Sequence, residues 1–102
     1  MSAYIIVDID VHDPDTYRDY LTKITPTVAA CGGRYRVRGA DSETLYGHWQ
    51  PKRIVVMEFP DWAQAHHWAT SEEYRPIHQL RQSSATVNMV LVDGTVETVL
   101  SS

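Results

Sequence analysis

The sequence is short of what several large functional classes require. Its 102 residues hold one cysteine, one phenylalanine and nine lysines plus arginines, against thirteen aspartates plus glutamates. The single thiol, Cys31, closes no internal disulfide, so a cross-linked secreted scaffold is excluded and a reducing cytoplasm is the expected setting. At the end of a helical stretch it reads as packing, since nothing near it in the chain would lower its pKa. The formal net charge of -4 is spread along the chain rather than blocked, which argues against nucleic acid as a partner. No apolar run approaches the roughly 20 residues that cross a bilayer, so no membrane association is expected. The start, Met1 to Tyr4, has no basic segment leading into an apolar one, and no secretory signal is expected.

Motifs for cofactors and metals are equally scarce. There is no glycine-rich phosphate loop, nucleophile elbow or dinucleotide fingerprint. His66 and His67 are adjacent, which on a helix turns them about 100° apart. His12, His48 and His78 are scattered, and no pair has the ligand spacing of a zinc site. The expectation is therefore no metal and no bound cofactor.

What is present suits one small α+β domain. Hydrophobic residues make up 43% of the chain, enough for a single core and too little length for a second. Tyr4 to Val11 alternates as a strand, with Ile5, Val7, Ile9 and Val11 on one face and Tyr4, Ile6, Asp8 and Asp10 on the other. Asp13-Pro14 starts a helix, as cap and first residue. Tyr17, Leu21, Ile24, Val28 and Cys31 form its apolar stripe, Pro26 is expected to kink or interrupt it, and Gly32-Gly33 ends it. Arg34 to Arg38 reads as a second strand, Gly39 to Thr44 as a bulge or loop after it, and Leu45-Tyr46 as a resumption of it. Arg53 to Phe59 is the third. Asp61 with Gln64 caps a further helix, Ser71 starts another helical segment, and Val87 to Asp93 is the fourth strand. The domain is expected over 1–94, with 95–102 as a tail able to add an edge strand.

This order, βαββαβ, predicts a ferredoxin-like sandwich: a four-stranded antiparallel sheet with its helices on one face. Both faces of the strands are apolar, however. Ile54 and Val56 oppose Val55, Met57 and Phe59; Val90 and Val92 oppose Val87, Met89 and Leu91. A bare face of that kind calls for cover, and a homodimer supplies it.

The candidate chemistry lies in charges on these strands. The second strand places Arg34, Arg36 and Arg38 on one face and Tyr35 with Val37 on the other. The first strand adds Asp8 and Asp10, and the third adds Glu58. One reading is a network of ion pairs. The other is a polar pocket in which a desolvated Glu58 or Asp8 has a raised pKa and accepts a proton, while an arginine grips an anionic substrate. Trp49, Trp62 and Trp68 are read either as core or as cavity walls. Tyr74 and Arg81 lie two helical turns apart, so both are expected to look back at the sheet. Arg81 needs a partner, for which Glu58 is the candidate.

Several stretches together resemble the bacterial DUF1330 family from Ala3 to Gly94. They are Ala3 to Ile9, Asp13-Pro14 with Tyr17 and Tyr20, Ala30 to Tyr35, Val37 to Gly39, and Leu45 with Gly47 and Trp49. Pro51 to Pro60 is the strongest portion, followed by Trp68, Ser71, Glu73-Tyr74, Leu80-Arg81 and Val90 to Gly94. The resemblance implies a ferredoxin-like dimer of the α/β-barrel type and no general reaction. It implies a pocket lined by Asp8, Arg38, Trp49, Arg53, Glu58, Trp68, Tyr74 and Arg81. Two positions depart from the family: Ala69 stands where an aromatic is usual and Glu72 where a proline is, which implies a wider or differently shaped cavity. Proteins sharing this dimeric barrel include cofactor-free monooxygenases, lactone isomerases and stress-response proteins, an analogy of fold alone.

The resulting expectation is a cofactor-independent enzyme, isomerase- or monooxygenase-like, acting on a small anionic organic molecule. Glu58 or Asp8 would accept the proton. Arg38, Arg53 or Arg81 would stabilise the anion or enolate, and Trp49, Trp68 and Tyr74 would form the walls. A non-catalytic metabolite-binding module and a purely structural homodimer are the alternatives.

Overall fold

Alternation along the first strand decides which side of the sheet the helices take. In the computed structural model, which describes residues 2–94, β1 (Ala3–Val11) buries Ala3, Ile5, Val7 and Ile9 completely. Tyr4, Ile6 and Asp8, pointing the other way, stay half-exposed. The expected tail strand falls at 95–102, outside the described residues.

Helix α1 (Pro14–Ala30) begins as its cap predicts: the Asp13 carboxylate accepts from the Thr16 amide at 3.2 Å and from the Thr16 hydroxyl at 2.7 Å. Pro26 does not interrupt it. The ring removes one internal donor, but Ile24 and Val28 on either side are buried against the sheet. The Thr25 and Thr27 hydroxyls also bond back to the carbonyls of Leu21 and Ile24. Tyr20 is buried where the stripe had only Tyr17 and Leu21, so the face set on the sheet is more aromatic than expected. The helix closes at Gly32, whose φ of 77° is the left-handed C-cap conformation.

Strand β2 (Arg34–Ala40) departs most from a regular reading. Its register against β3 (Ile54–Phe59) runs Tyr35 opposite Met57, then Val37 opposite Val56, then Arg38 opposite Val55, then Ala40 opposite Ile54. Arg36 and Gly39 are thus extra residues, two β-bulges in one short strand, and each reverses the facing of the residues after it. Val37 consequently joins Arg34 and Arg36 on the face away from the helices, while Arg38 joins Tyr35 beneath them. The expected row of three arginines on one face is therefore corrected. The expected resumption at Leu45-Tyr46 is corrected too: residues 41–53 form a connection without strand, and Leu45 and Tyr46 are almost fully exposed.

Helix α2 (Trp62–Thr70) is capped by Asp61, which accepts from the Gln64 amide at 2.8 Å. Ser71 ends α2 rather than starting the next helix; α3 (Arg75–Ser84) begins after a short turn, with Pro76 in its first turn. β4 (Ala85–Asp93) follows directly. The sheet order is β2-β3-β1-β4 with all neighbours antiparallel, and the three helices cover one face. This is the ferredoxin-like α+β arrangement. Among the described residues no helix is long and apolar enough to cross a membrane.

Candidate functional site

The core between helices and sheet is apolar except at one end, where three arginines and three tyrosines converge on a cavity. Arg38 arrives from β2 because of the bulge at Arg36. Its guanidinium lies 4.1 Å from the Tyr35 ring centroid and donates from Nη2 to Thr25 Oγ1 at 2.7 Å. Arg53 stands just before β3, its carbonyl accepting from the Ile9 amide at 2.9 Å. Arg81 reaches in from α3. Tyr17 and Tyr20, one helical turn apart on α1, and Tyr35 on β2 complete the polar lining, with Val7, Ile9, Val55, Met57 and Trp68 among the apolar walls. The space is about 390 Å³ including its mouth, but only about 20 Å³ of it is wide enough to take a water molecule.

Two features mark this cavity as unfinished. First, the Nε atoms of Arg53 and Arg81 are buried and have no hydrogen-bond partner among the described residues, which is costly for a charged donor. Second, among the described residues no carboxylate lines the cavity and none forms an ion pair with Arg38, Arg53 or Arg81. The phenols bring no negative charge to offset this. Burial pushes the Tyr20 hydroxyl up to about 12, with the Arg81 guanidinium beside it pulling the other way. Burial likewise raises Tyr17 against the pull of Arg53. Both remain neutral donors at ordinary pH.

Arg81 is held from behind. Its Nη1 donates to His78 Nδ1 at 3.0 Å, and His78 Nε2 donates to the Trp68 carbonyl at 2.9 Å. Burial lowers the pKa of His78, and the nearby Arg81 charge adds to that. Trp68 is fixed in turn: its Nε1 donates to Thr27 Oγ1 at 2.9 Å, and its ring meets Phe59 at 5.7 Å and the edge of His78 at 4.8 Å.

The expected site residues fall into separate places. Arg38, Arg53, Trp68 and Arg81 come together on the helix side. Asp8 lies on the open face, where it accepts from Trp49 Nε1 at 2.9 Å and from the Lys52 amide at 3.3 Å. Glu58 is also on the open face, accepting from the Ser2 hydroxyl and from Arg36 Nε, each at 2.6 Å, with Arg34 farther off at 3.8 Å. The pairing of Glu58 with Arg81 is thus corrected, because the sheet separates them. The raised pKa expected of a Glu58 base is corrected as well: the Ser2 hydrogen bond, then that from Arg36, hold its carboxyl below the usual range. Tyr74 caps α3 and takes a hydrogen bond from the Cys31 thiol at 3.8 Å, outside the cavity lining. Tyr17, Tyr20, Tyr35 and His78 were not among the expected residues. The one signal for His78 was its spacing, three residues before Arg81 and so on the same helical face.

Among the described residues no group of three or more His, Cys, Asp or Glu side chains is placed to hold a metal ion. Comparison with curated proteins gives no match. Among solved structures, a protein of unknown function from Rhodopseudomonas palustris has a TM-score of 0.75 at 14% identity, over 94% of this chain and 84% of its own. A dimeric ferredoxin-like protein of unknown function from Jannaschia sp. CCS1 has a TM-score of 0.67 at 12% identity, over 91% of this chain and 99% of its own. SnoaB, a cofactor-independent oxygenase from Streptomyces nogalater, has a TM-score of 0.58 at 14% identity, over 97% of this chain and 96% of its own. At such identities the likeness is one of fold. The family model described as Domain of unknown function (DUF1330) matches residues 2–95.

Proposed function

The chain belongs to the DUF1330 family, which is defined by no reaction, and we propose that its helix-side cavity binds a small organic anion and stabilises negative charge on it without a bound cofactor. The observation that carries this reading is the set of three guanidiniums around one cavity with no carboxylate among its described lining residues, two with buried Nε atoms that find no hydrogen-bond partner among the described residues. An anionic group accepting from Nε and Nη of one arginine, with a phenol beside it, answers those unmet donors, and a ligand larger than a water enters as the exposed Arg38 side chain gives way at the mouth. The same arrangement stabilises an enolate or phenolate as it forms, the charge that cofactor-free proton transfer or oxygenation develops. SnoaB, a neighbour in fold, is a cofactor-independent oxygenase. Glu58 and Asp8 take no part in this chemistry, so a substrate acidic in its own right is the better fit.

That lack of a lining carboxylate also favours a second reading, a metabolite-binding module with the same pocket and no turnover. Recovery of the ligand unchanged after long incubation supports the module; a new product supports the enzyme. The pocket itself is tested by calorimetry with benzoate against benzamide, an uncharged analogue of similar shape. Benzoate should bind more tightly, and Arg81→Gln should weaken it roughly tenfold or more, the value of a hydrogen bond to a charged group. Equal binding of the two compounds refutes the reading.

We propose further that two copies pair through the open sheet face, where Tyr4, Ile6, Val37, Ile54 and Val56 lie beside Val90 and Val92, the last two 52% and 40% exposed. A reducing cytoplasm remains the proposed setting, on the free thiol of Cys31.

A further inference from the structure

We propose that His78 is the positioning residue of this pocket: its neutral ring holds the Arg81 guanidinium against the cavity, and its protonation releases that guanidinium and the anion with it. The inference rests on the anion-binding reading for its second half and on geometry alone for its first.

The geometry leaves one tautomer. A guanidinium has donors and no acceptor, so the nitrogen that faces Arg81 Nη1 at 3.0 Å must carry a lone pair. A carbonyl has acceptors and no donor, so the nitrogen that faces Trp68 O at 2.9 Å must carry the hydrogen. Nδ1 is therefore bare and Nε2 protonated, each demanded by a different partner. The ring cannot turn to suit itself, because it is buried and its edge is set against the Trp68 indole at 4.8 Å. Trp68 in turn is pinned through Thr27 to α1. His78 thus transmits the fixed position of α2 to a guanidinium on α3.

A second proton changes the sign of the contact. Nδ1–H would meet an Arg81 N–H head-on, donor against donor and cation against cation, about 3 Å apart in a poorly solvated place. Of the groups facing His78, only the Trp68 carbonyl favours the charged ring, and it already holds the Nε2 proton, so it gives the Nδ1 proton no partner. Its own helix presents Arg81, and α2 presents the Trp68 carbonyl and ring. On α1, Tyr20 lies by Arg81 rather than by the imidazole, and among the described residues no carboxylate pairs with His78. Arg81 is only partly buried and so can swing toward the mouth, whereas the imidazole stays bonded to the Trp68 carbonyl in both states. Burial and the Arg81 charge already make protonation unfavourable, so the ring is neutral near pH 7 and the release belongs to acid conditions.

Nitrogen NMR on the full chain decides the latch without any ligand. The expected result is an Nε2–H tautomer for His78 near neutral pH, with the Arg81 Nε resonance shifting on acidification at the His78 midpoint. An Nδ1–H tautomer, or an Arg81 signal indifferent to His78, overturns the proposal. Binding of methanesulfonate and benzenesulfonate, which stay ionised throughout, then decides the consequence. Affinity should fall roughly tenfold or more as His78 takes up its proton. His78→Asn, whose Oδ1 can replace Nδ1 as acceptor, should keep the neutral-pH affinity within a few-fold and lose the pH dependence. His78→Leu should bind weakly at every pH. Affinity that rises on acidification would make His78⁺ a direct anion contact and overturn the release. If neither sulfonate binds at any pH, the anion-pocket reading fails, and the NMR result still decides the latch.

Discussion

Gly39 offers the sharpest separation of backbone strain from site geometry. Its φ is 79°, and a Cβ built there would fall 2.6 Å from Arg53 Cζ and 2.8 Å from both Arg53 Nε and Nη2. The obstacle is the end of a flexible side chain, not backbone, so Gly39→Ala should leave the fold intact and push the Arg53 guanidinium off its seat. Gly47 supplies the control: its φ is 88°, yet nothing lies within 4 Å of a Cβ there. Each alanine carries the left-handed penalty of about 1–2 kcal/mol, which lowers a urea midpoint by roughly 0.5–1 M for a domain of this size. The displaced guanidinium adds a second effect at position 39 alone. Losing charged hydrogen bonds to the ligand should weaken benzoate binding about tenfold or more. Urea unfolding followed by tryptophan fluorescence, with calorimetry on the same preparations, reads both quantities. Similar losses of stability, with binding damaged only in Gly39→Ala, is the expected pattern. Benzoate affinity unchanged in Gly39→Ala, despite the lowered midpoint, refutes the placement of Arg53 in the anion site.

Two other predictions concern the opposite face. Val56→Lys puts a charge amid the apolar residues there and should yield a monomer by light scattering, with secondary structure retained; an unshifted mass refutes pairing through this face. Glu58→Gln should leave benzoate affinity unaltered, since the sheet separates it from the arginines. Its effect should appear in stability. The folded-state pKa lies below the ordinary 4.5, so the carboxylate's contribution is present above that value and lost as pH falls through the folded pKa; the variant should flatten the stability curve in that acid range. His78 acts in a separate window. Its folded pKa is below 6.5, so the unfolded chain binds a proton that the folded chain refuses, and stability falls as pH drops below about 6.5 toward the folded value. His78→Asn should remove that slope and leave the Glu58 one, which urea midpoints across pH will show.

The fold was legible where local chemistry is unambiguous. Asp13 before Pro14 and Asp61 before Gln64 are capping arrangements that need only short-range hydrogen bonds, and both helices start as those residues dictate. The alternation in β1 separated Ile5, Val7 and Ile9 from Ile6 and Asp8 because a pleat has period two whatever packs upon it. Pro26 misled because its effect depends on tertiary context. A missing donor in a helix already pressed on the sheet by Ile24 and Val28 is tolerated, whereas in an isolated helix it would end the element.

The site was half legible, and the reason is a count of residues in one strand. Alternation carried through Arg34, Tyr35, Arg36, Val37 and Arg38 gives a single cationic face, and that face would have met Glu58. A glycine within a strand does signal a bulge, so Gly39 hinted at irregularity. The decisive insertion is at Arg36, where no residue type announces it, and it carries Arg38 through to the helices. The side of Arg81, by contrast, was deducible. A helix packs on the face that buries Ile5, Val7 and Ile9; Asp8 points away from that face, and Glu58, opposite Tyr4, points with it. No helix residue therefore reaches either carboxylate through the sheet. Once Arg38 crosses and Arg81 cannot, three guanidiniums share a cavity while the acids share the other face. The same topology that keeps Asp8 and Glu58 out of the pocket leaves three guanidiniums there without a carboxylate among the described residues, which is the ground on which an anion is proposed as the ligand.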